Sequence, residues 1–250
     1  MWEALHASMR RWYRLVGAGS DGARTVERDG VIAALVPAAP ERSVINAVVY
    51  ESPEALAAAY DDVAAAYAEI GAKWTVWLHE GDAQSAALVE RNGHALDGEP
   101  VAMAVDLGDH PPQRPADDAL PAWTAEGSLA DVGAINDRAY PWGGDSFSRA
   151  LTRLPEGEVH LYVAHDDGEP IACTATIDSG SNSEVQMVAV VPEARGRGLA
   201  GKLIAHSLAD AVERGATTGT LVATKLGYPV YSKLGFEPLG VLEMWERRLD

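Results

Sequence analysis

The sequence predicts an α+β protein of two similar units, each a mixed, mostly antiparallel twisted sheet flanked by helices. Three observations predict it. Short β-rich runs joined by Asp-Gly turns alternate with two long helical patterns. The order of these runs in the first half recurs in the second, 142 residues later (43 to 185, 93 to 235). A proline-rich stretch separates the two.

Each unit opens on a hairpin. Thr25–Val36 (TVERDGVIAALV) and Leu161–Ile177 both place two strands around an Asp-Gly turn, at Asp29-Gly30 and Asp167-Gly168. The next strand is SVINAVVY (Ser43–Tyr50) in one half and VQMVAVVP (Val185–Pro192) in the other. A long helix follows. Ser52 caps the first with Pro53 at its first position, and the second repeats apolar residues over Gly198–Gly215 at helical spacing. A glycine then ends each helix before another strand, at Gly71 and Gly215, the second strand spanning Thr220–Thr224. The last match sets Arg91–Leu107 against Lys233–Leu249. Gly108–Trp123 holds four of the fourteen prolines and suits an extended connection. The units are therefore placed at residues 1–112 and 123–250, with 113–122 as the linker.

Composition narrows the function classes. Hydrophobic residues are 47% and charged residues 23% of 250, as in globular chains. No apolar run reaches the roughly 18 residues of a membrane span, so no membrane partner is expected. The N-terminal stretch has no continuous apolar region of the kind a secretory leader needs, and Cys173 is alone, so a cytoplasmic setting is expected. A net charge of −17 repels phosphate backbones and argues against nucleic acid. The histidines show no metal-ligand spacing, and one cysteine cannot build a zinc cluster, so no metal site is expected. Cys173, in an apolar strand without a nearby His, reads as a buried structural thiol.

Chemistry concentrates in Val188–Ile204 (VAVVPEARGRGLAGKLI), a strand, a glycine-rich turn and a helix. The first N–H groups of a helix lack partners and carry partial positive charge, so such a turn can hold an anion. Gly196 and Gly198 allow close backbone approach, while Arg195, Arg197 and Lys202 reverse the charge locally. A P-loop pattern is absent, and GxGxxG at Gly196–Gly201 lacks the strand and helix alternation of a dinucleotide fold. On its own the glycine pattern is a weak signal, and the entry to a core helix is its alternative reading.

Arg195–Ala200 (Arg-x-x-Gly-x-Ala) resembles the phosphate-binding signature of the GNAT N-acetyltransferases. The Val-x-Pro lead-in at Val190–Pro192 and the later YSKLGF at Tyr231–Phe236 are similar to the family's segments and stand in its order. The resemblance implies two GNAT-like domains and a single functional cofactor site. Acetyl-CoA would lie between the strand at Gln186–Val191 and the strand at Thr220–Thr224. Main-chain groups at Val188, Ala189 and Val190 would pair with the pantetheine arm, and amides of Arg195, Gly196, Arg197, Gly198, Leu199, Ala200 and Gly201 would hold the pyrophosphate. Tyr231 matches the family's acid tyrosine and is the candidate acid; the alternative is a tyrosine packed under the final strands with its hydroxyl satisfied elsewhere. Glu184, eleven residues before Arg195, is the candidate base; it reads equally as an exposed acid after the SGSNS turn, and a water relay is the family's other solution. Tyr140, Trp142 and Asp145 fall where the family's substrate-facing loop would be.

The first unit departs from this pattern. Glu51 and Glu54 stand where the second has its arginine and glycines, and Val89 stands at the position of Tyr231. It is expected not to bind CoA. The implied activity is acetyl transfer from acetyl-CoA to the amine of a small molecule or peptide; the alternative is a non-catalytic CoA-sensing or protein-binding scaffold. Nothing in the sequence sets the oligomeric state.

Overall fold

The computed structural model describes the chain except residues 110, 117–122, 125–126, 141–143, 156 and 249–250, and only the backbone of 123–124. The first half runs α1 (Trp2–Val16), β1 (Arg24–Arg28), β2 (Val31–Leu35), β3 (Ala47–Tyr50), α2 (Pro53–Ile70), β4 (Trp74–His79), α3 (Ala83–Arg91), β5 (His94–Gly98) and β6 (Val101–Asp106). The second runs β7 (Trp123–Thr124), α4 (Leu129–Ala139), α5 (Ser146–Ala150), β8 (Val159–Asp166), β9 (Glu169–Ser179), β10 (Asn182–Val190), α6 (Leu199–Glu213), β11 (Thr218–Ala223), α7 (Tyr228–Lys233) and β12 (Glu237–Arg247).

Local signals produce the elements expected of them. Asp167 and Gly168 both take positive φ, 49° and 85°, the geometry of a tight hairpin turn between β8 and β9. The Ser52 hydroxyl accepts the Ala55 N–H at 3.1 Å at the start of α2, and Gly71 closes that helix in the left-handed region. Helix α1 buries Leu5, Met9, Trp12, Tyr13 and Val16, a stripe at helical spacing.

The sheet differs from the expectation of one per half. Among the described residues the strands form one continuous sheet, β1-β2-β3-β4-β12-β6-β11-β10-β9-β8-β7, with β5 pairing β12 off this path. The pairs β3–β4 and β10–β11 are parallel and the others antiparallel. The cause is a reciprocal exchange of last strands. β6, from the first half, lies between β11 and β12, while β12 runs antiparallel to β4 over Leu242–Arg247. Each half completes the other's sheet.

Alternate residues face opposite layers. Val31, Ala33 and Leu35 of β2 pack with α2, while Ile32 and Ala34 pack with α1. α1 lies across β2 and β3 of the first half and β9 and β10 of the second, so its stripe is core to both. Part of the expected linker is anchored: Arg114 pairs with Asp210 at 2.5 Å and with Glu213 at 2.8 Å, both on α6.

Candidate active site

The site begins where two parallel strands part. β10 and β11 pair only from Asn182↔Thr218 to Glu184↔Thr220. Beyond that β10 bulges between Gln186 and Ala189, with Met187 at φ 53°, while Ala189 and Val190 stay paired to β9. The edge of β10 over Gln186–Val190 therefore faces a gap. Below it the chain makes one tight turn, Pro192–Ala194, and enters α6. Gly196 (φ 77°) and Gly198 (φ 75°, the N-cap) both adopt the left-handed conformation that a side chain resists.

Gap, turn and helix start open on one cavity of about 1410 Å³. Val188, Ala189, Val190, Arg195, Gly196, Gly198, Leu199, Ala200 and Gly201 line it, nine of the ten cofactor positions expected from the sequence. Arg197 does not; its guanidinium pairs with Asp166 at 2.7 Å. Arg195 is also occupied, donating to the carbonyls of Val190 at 3.2 Å and Ala139 at 2.5 Å. The expected local excess of positive charge is thus largely engaged within the fold. What the turn offers an anion is chiefly its backbone N–H groups.

Tyr231 sits on α7, across the gap from β10, and lines the cavity with 8% exposure. Its ring packs over Gly227, where an added Cβ would come within 2.7 Å, and meets Phe236 edge-on at 6.2 Å. Among the described residues its hydroxyl makes no hydrogen bond. Burial, then the neighbouring Tyr140 phenol, holds its pKa far above the usual phenol range. Tyr140 lines the same cavity, 3.4 Å from the Val188 carbonyl. A ligand pairing with Val188 would take that place.

Glu184 is not the exposed acid its turn allowed. It is fully buried on the α1 side of β10, and burial pushes its carboxyl up to about 8, eased by the Gln186 amide at 2.9 Å. Its Oε2 has no partner among the described residues. Glu184 does not itself line the cavity; Gln186, two residues on and on the same face, does. Gln186 was missed in the sequence, although its period-two register with Glu184 marks it. Asp145 is drawn away into an ion pair with Arg149 at 2.8 Å, and Trp142 lies outside the described residues. Cys173 is buried between Asn136 and the Met187 carbonyl, its thiol pushed up to about 12 by burial. Among the described residues no cluster could hold a metal ion, and no helix is long and apolar enough to cross a membrane.

The other wall of the cavity comes from the first half. Trp12 and Tyr13 of α1, Arg42 to Ile45, Lys73, Trp77 and Glu246 of the exchanged β12 contribute to it. These were not legible as site residues, since their place depends on the exchange and on α1.

The first half has a matching gap that is filled. β3 and β4 pair only at Ala47↔Thr75 and Val48↔Val76. Trp2, Leu5 and His6 of α1 enter beyond them, the His6 Nε2 donating to the Tyr50 carbonyl at 2.8 Å, and leave a void of about 10 Å³. At the start of α2 the Ser52 hydroxyl occupies the Ala55 N–H, and Glu51 pairs with Arg10 at 3.2 Å. Val89 is wholly buried.

Residues 157–238 match the acetyltransferase (GNAT) domain model. The match runs from β8 through α7 to the first residues of β12 and so takes in the gap, the glycine turn and Tyr231. Two proteins of Streptomyces griseus named uncharacterized N-acetyltransferase are 41% identical over 59 residues, 24% of this chain and 14% of theirs. The chain thus aligns with only a small part of the length of those curated relatives. A mycothiol acetyltransferase of Tsukamurella paurometabola is 25% identical over 249 aligned positions, covering 88% of this chain and 84% of that one. Among solved structures, a GCN5-related N-acetyltransferase from Kribbella flavida superposes with a TM-score of 0.67 at 19% identity, over 97% of this chain and 95% of that one. The family model supports a GNAT acetyltransferase domain over residues 157–238, and the structural neighbour supports the mixed α+β fold.

Proposed function

We propose that the chain is an acetyl-CoA-dependent N-acetyltransferase of two GNAT-like halves, the second active and the first degenerate. One observation carries this reading. The freed edge of β10, the two left-handed glycines and Tyr231 all face the same cavity. The residues present fit the acyl donor. An unpaired strand edge suits an extended pantetheine arm, and the turn's backbone N–H groups suit a pyrophosphate. The donor supplies the activated acetyl group when bound.

The chain's own residues then have distinct tasks. Main-chain groups of Val188 to Val190 orient the arm. Tyr231, kept protonated by burial, holds a proton for the sulfur that leaves. Amine acceptors are ammonium ions at neutral pH, so one proton must leave before attack. Glu184 is assigned to receive it, by a relay past Gln186, in the ionised form it reaches only as pH approaches its raised pKa of about 8, where it is a stronger base than an ordinary carboxylate. The filled gap and capped α2 of the first half support its degeneracy and leave it the role of acceptor wall.

Calorimetry with acetyl-CoA tests the reading. One site per chain is expected, lost in Gly198→Glu, whose carboxylate enters the cradle and whose side chain strains a left-handed position. Unchanged affinity in that variant, or two sites in the parent, overturns the assignment.

A further inference from the structure

With the pyrophosphate at the Arg195–Gly201 turn, an arm running back along Val190 and Val188 would bring its sulfur end to the bulge at Met187. Met187 on β10 and Val222 on β11 stand on the two sides of the gap. Both pack against one hydrophobic cluster that includes Trp12, Tyr13, Ile45, Trp77 and Leu151. Phe147 packs against the same cluster and stacks on Tyr140 with ring centres 6.0 Å apart, and Tyr140 in turn reaches the Val188 carbonyl. The cluster therefore adjoins the freed edge of β10, and these side chains all line the cavity.

Part of that surface is left uncovered. Val44, Phe147, Met187, Val222 and Met244 line the cavity and are each only half-buried. Apolar side chains that keep open area inside a cleft suit an apolar ligand. The polar groups of the same wall are turned on one another. The Tyr13 hydroxyl donates to the Val44 carbonyl at 3.2 Å and accepts from the Trp77 Nε1–H at 2.7 Å. Arg42 donates to the Ser146 hydroxyl at 2.6 Å, and Glu41 pairs with Arg149 at 2.6 Å. Arg248 joins Asp97 at 3.0 Å and Glu246 at 2.8 Å, while the Ser43 hydroxyl donates to the other Glu246 oxygen at 2.5 Å. The charge of Lys73 also acts on Glu246. A second charge or a hydroxyl on a ligand would give up its water here and meet groups already engaged.

Resting on the acetyl-transfer reading above, we propose that the acceptor is a primary amine on an uncharged, apolar body. Its nitrogen meets the acyl donor near the Met187 bulge, and its body lies on the surface made by Trp12, Val44, Trp77, Phe147 and Met244. These side chains set specificity and take no part in proton transfer.

The test uses the full chain with acetyl-CoA, following release of the CoA thiol. Linear primary amines from n-butylamine to n-hexylamine share one charge and nearly one basicity, so only the area they bury changes. Their kcat/KM is expected to rise about three- to fourfold for each added methylene, mainly through KM. An amino alcohol and a diamine of the same chain length as n-hexylamine, with a hydroxyl or a second ammonium in place of its methyl, are expected to fall about tenfold or more below it. Calorimetry of the same amines with the CoA-saturated protein is expected to give the same order. Val44→Thr and Met244→Gln, which place polar groups on this surface, should lower kcat/KM for n-hexylamine about three- to tenfold, with acetyl-CoA affinity unchanged as the check on folding. A series flat to within about twofold, or an amino alcohol or diamine as good as n-hexylamine, overturns the proposal while leaving acetyl transfer standing. So does n-hexylamine turnover unchanged in both variants. Acetyl-CoA that binds but releases no thiol with any amine overturns the acetyl-transfer reading itself.

Discussion

Replacing Glu184 by Gln should make the protein more stable, and increasingly so as pH rises. Glu184 has no exposure, one oxygen without a partner among the described residues, and a carboxyl pushed by burial to about 8 from an ordinary value of 4.5. Between those values the native state keeps a proton that the unfolded chain has already released. The folded state therefore binds more protons, and stability falls as pH rises through that window. Each pH unit costs about 1.4 kcal/mol, so going from about pH 5 to about pH 8 removes about 4 kcal/mol from the parent. Glutamine matches the protonated carboxyl in shape and charge and can still accept from Gln186. His6, His79 and His160 work in the opposite direction, because burial lowers their pKa and stability is gained as they lose protons in the unfolded chain. Both proteins share those histidines, so their contribution cancels in the difference. Urea unfolding followed by the fluorescence of the seven tryptophans, at about pH 5, 6, 7 and 8, measures it. The gap between Glu184→Gln and parent should widen by about 4 kcal/mol across the series. Parallel pH profiles, within about 1 kcal/mol, would refute the raised affinity of Glu184 for its proton and with it the reason for assigning it as base.

Two further outcomes are expected. Tyr231→Phe should lower kcat by about 10²- to 10⁴-fold while leaving acetyl-CoA affinity unchanged, the pattern of a lost proton donor; steady-state kinetics beside calorimetry separates the two, and full activity removes Tyr231 from the mechanism. Residues 1–112 and 123–250, expressed apart, should each fail to show cooperative unfolding, since each lacks the strand that completes its sheet; cooperative melting of either fragment alone would contradict the exchange.

Much of this architecture is legible in the residues. Asp167-Gly168, Ser52-Pro53 and Gly71 are local devices whose effect does not depend on distant partners, and each produces its element. The spacing of Arg195, Gly198 and Tyr231 likewise survives folding, since one strand, one turn and two helices carry it. The exchange of β6 and β12 was not legible. Their sequences satisfy either half equally, and which edge they pair with is decided by long-range geometry. For the same reason Lys73 and Glu246 gave no sign of facing the cavity. The arginines misled in a different way: their charge is apparent in sequence, but their partners, Asp166 and the Ala139 carbonyl, lie 31 and 56 residues away.

The filled gap of the first half also bears on the shape of the cavity in the second. α1 is held at one end inside the first gap, by His6 on the Tyr50 carbonyl and by Trp2 against His79 at 4.8 Å. About two turns further along, Met9, Trp12, Tyr13 and Val16 of the same helix line the main cavity. A pantetheine arm in the first gap would need the Tyr50 strand edge that His6 now occupies, and α1 could not remain there. Its stripe would leave the cavity, and the wall that carries Trp77 and the 41–45 loop would lose the helix packed against it. The serine cap occupies a first-turn N–H of α2 and Glu51 pairs with Arg10, while α1, anchored in that gap, lines the cavity that also holds Tyr231.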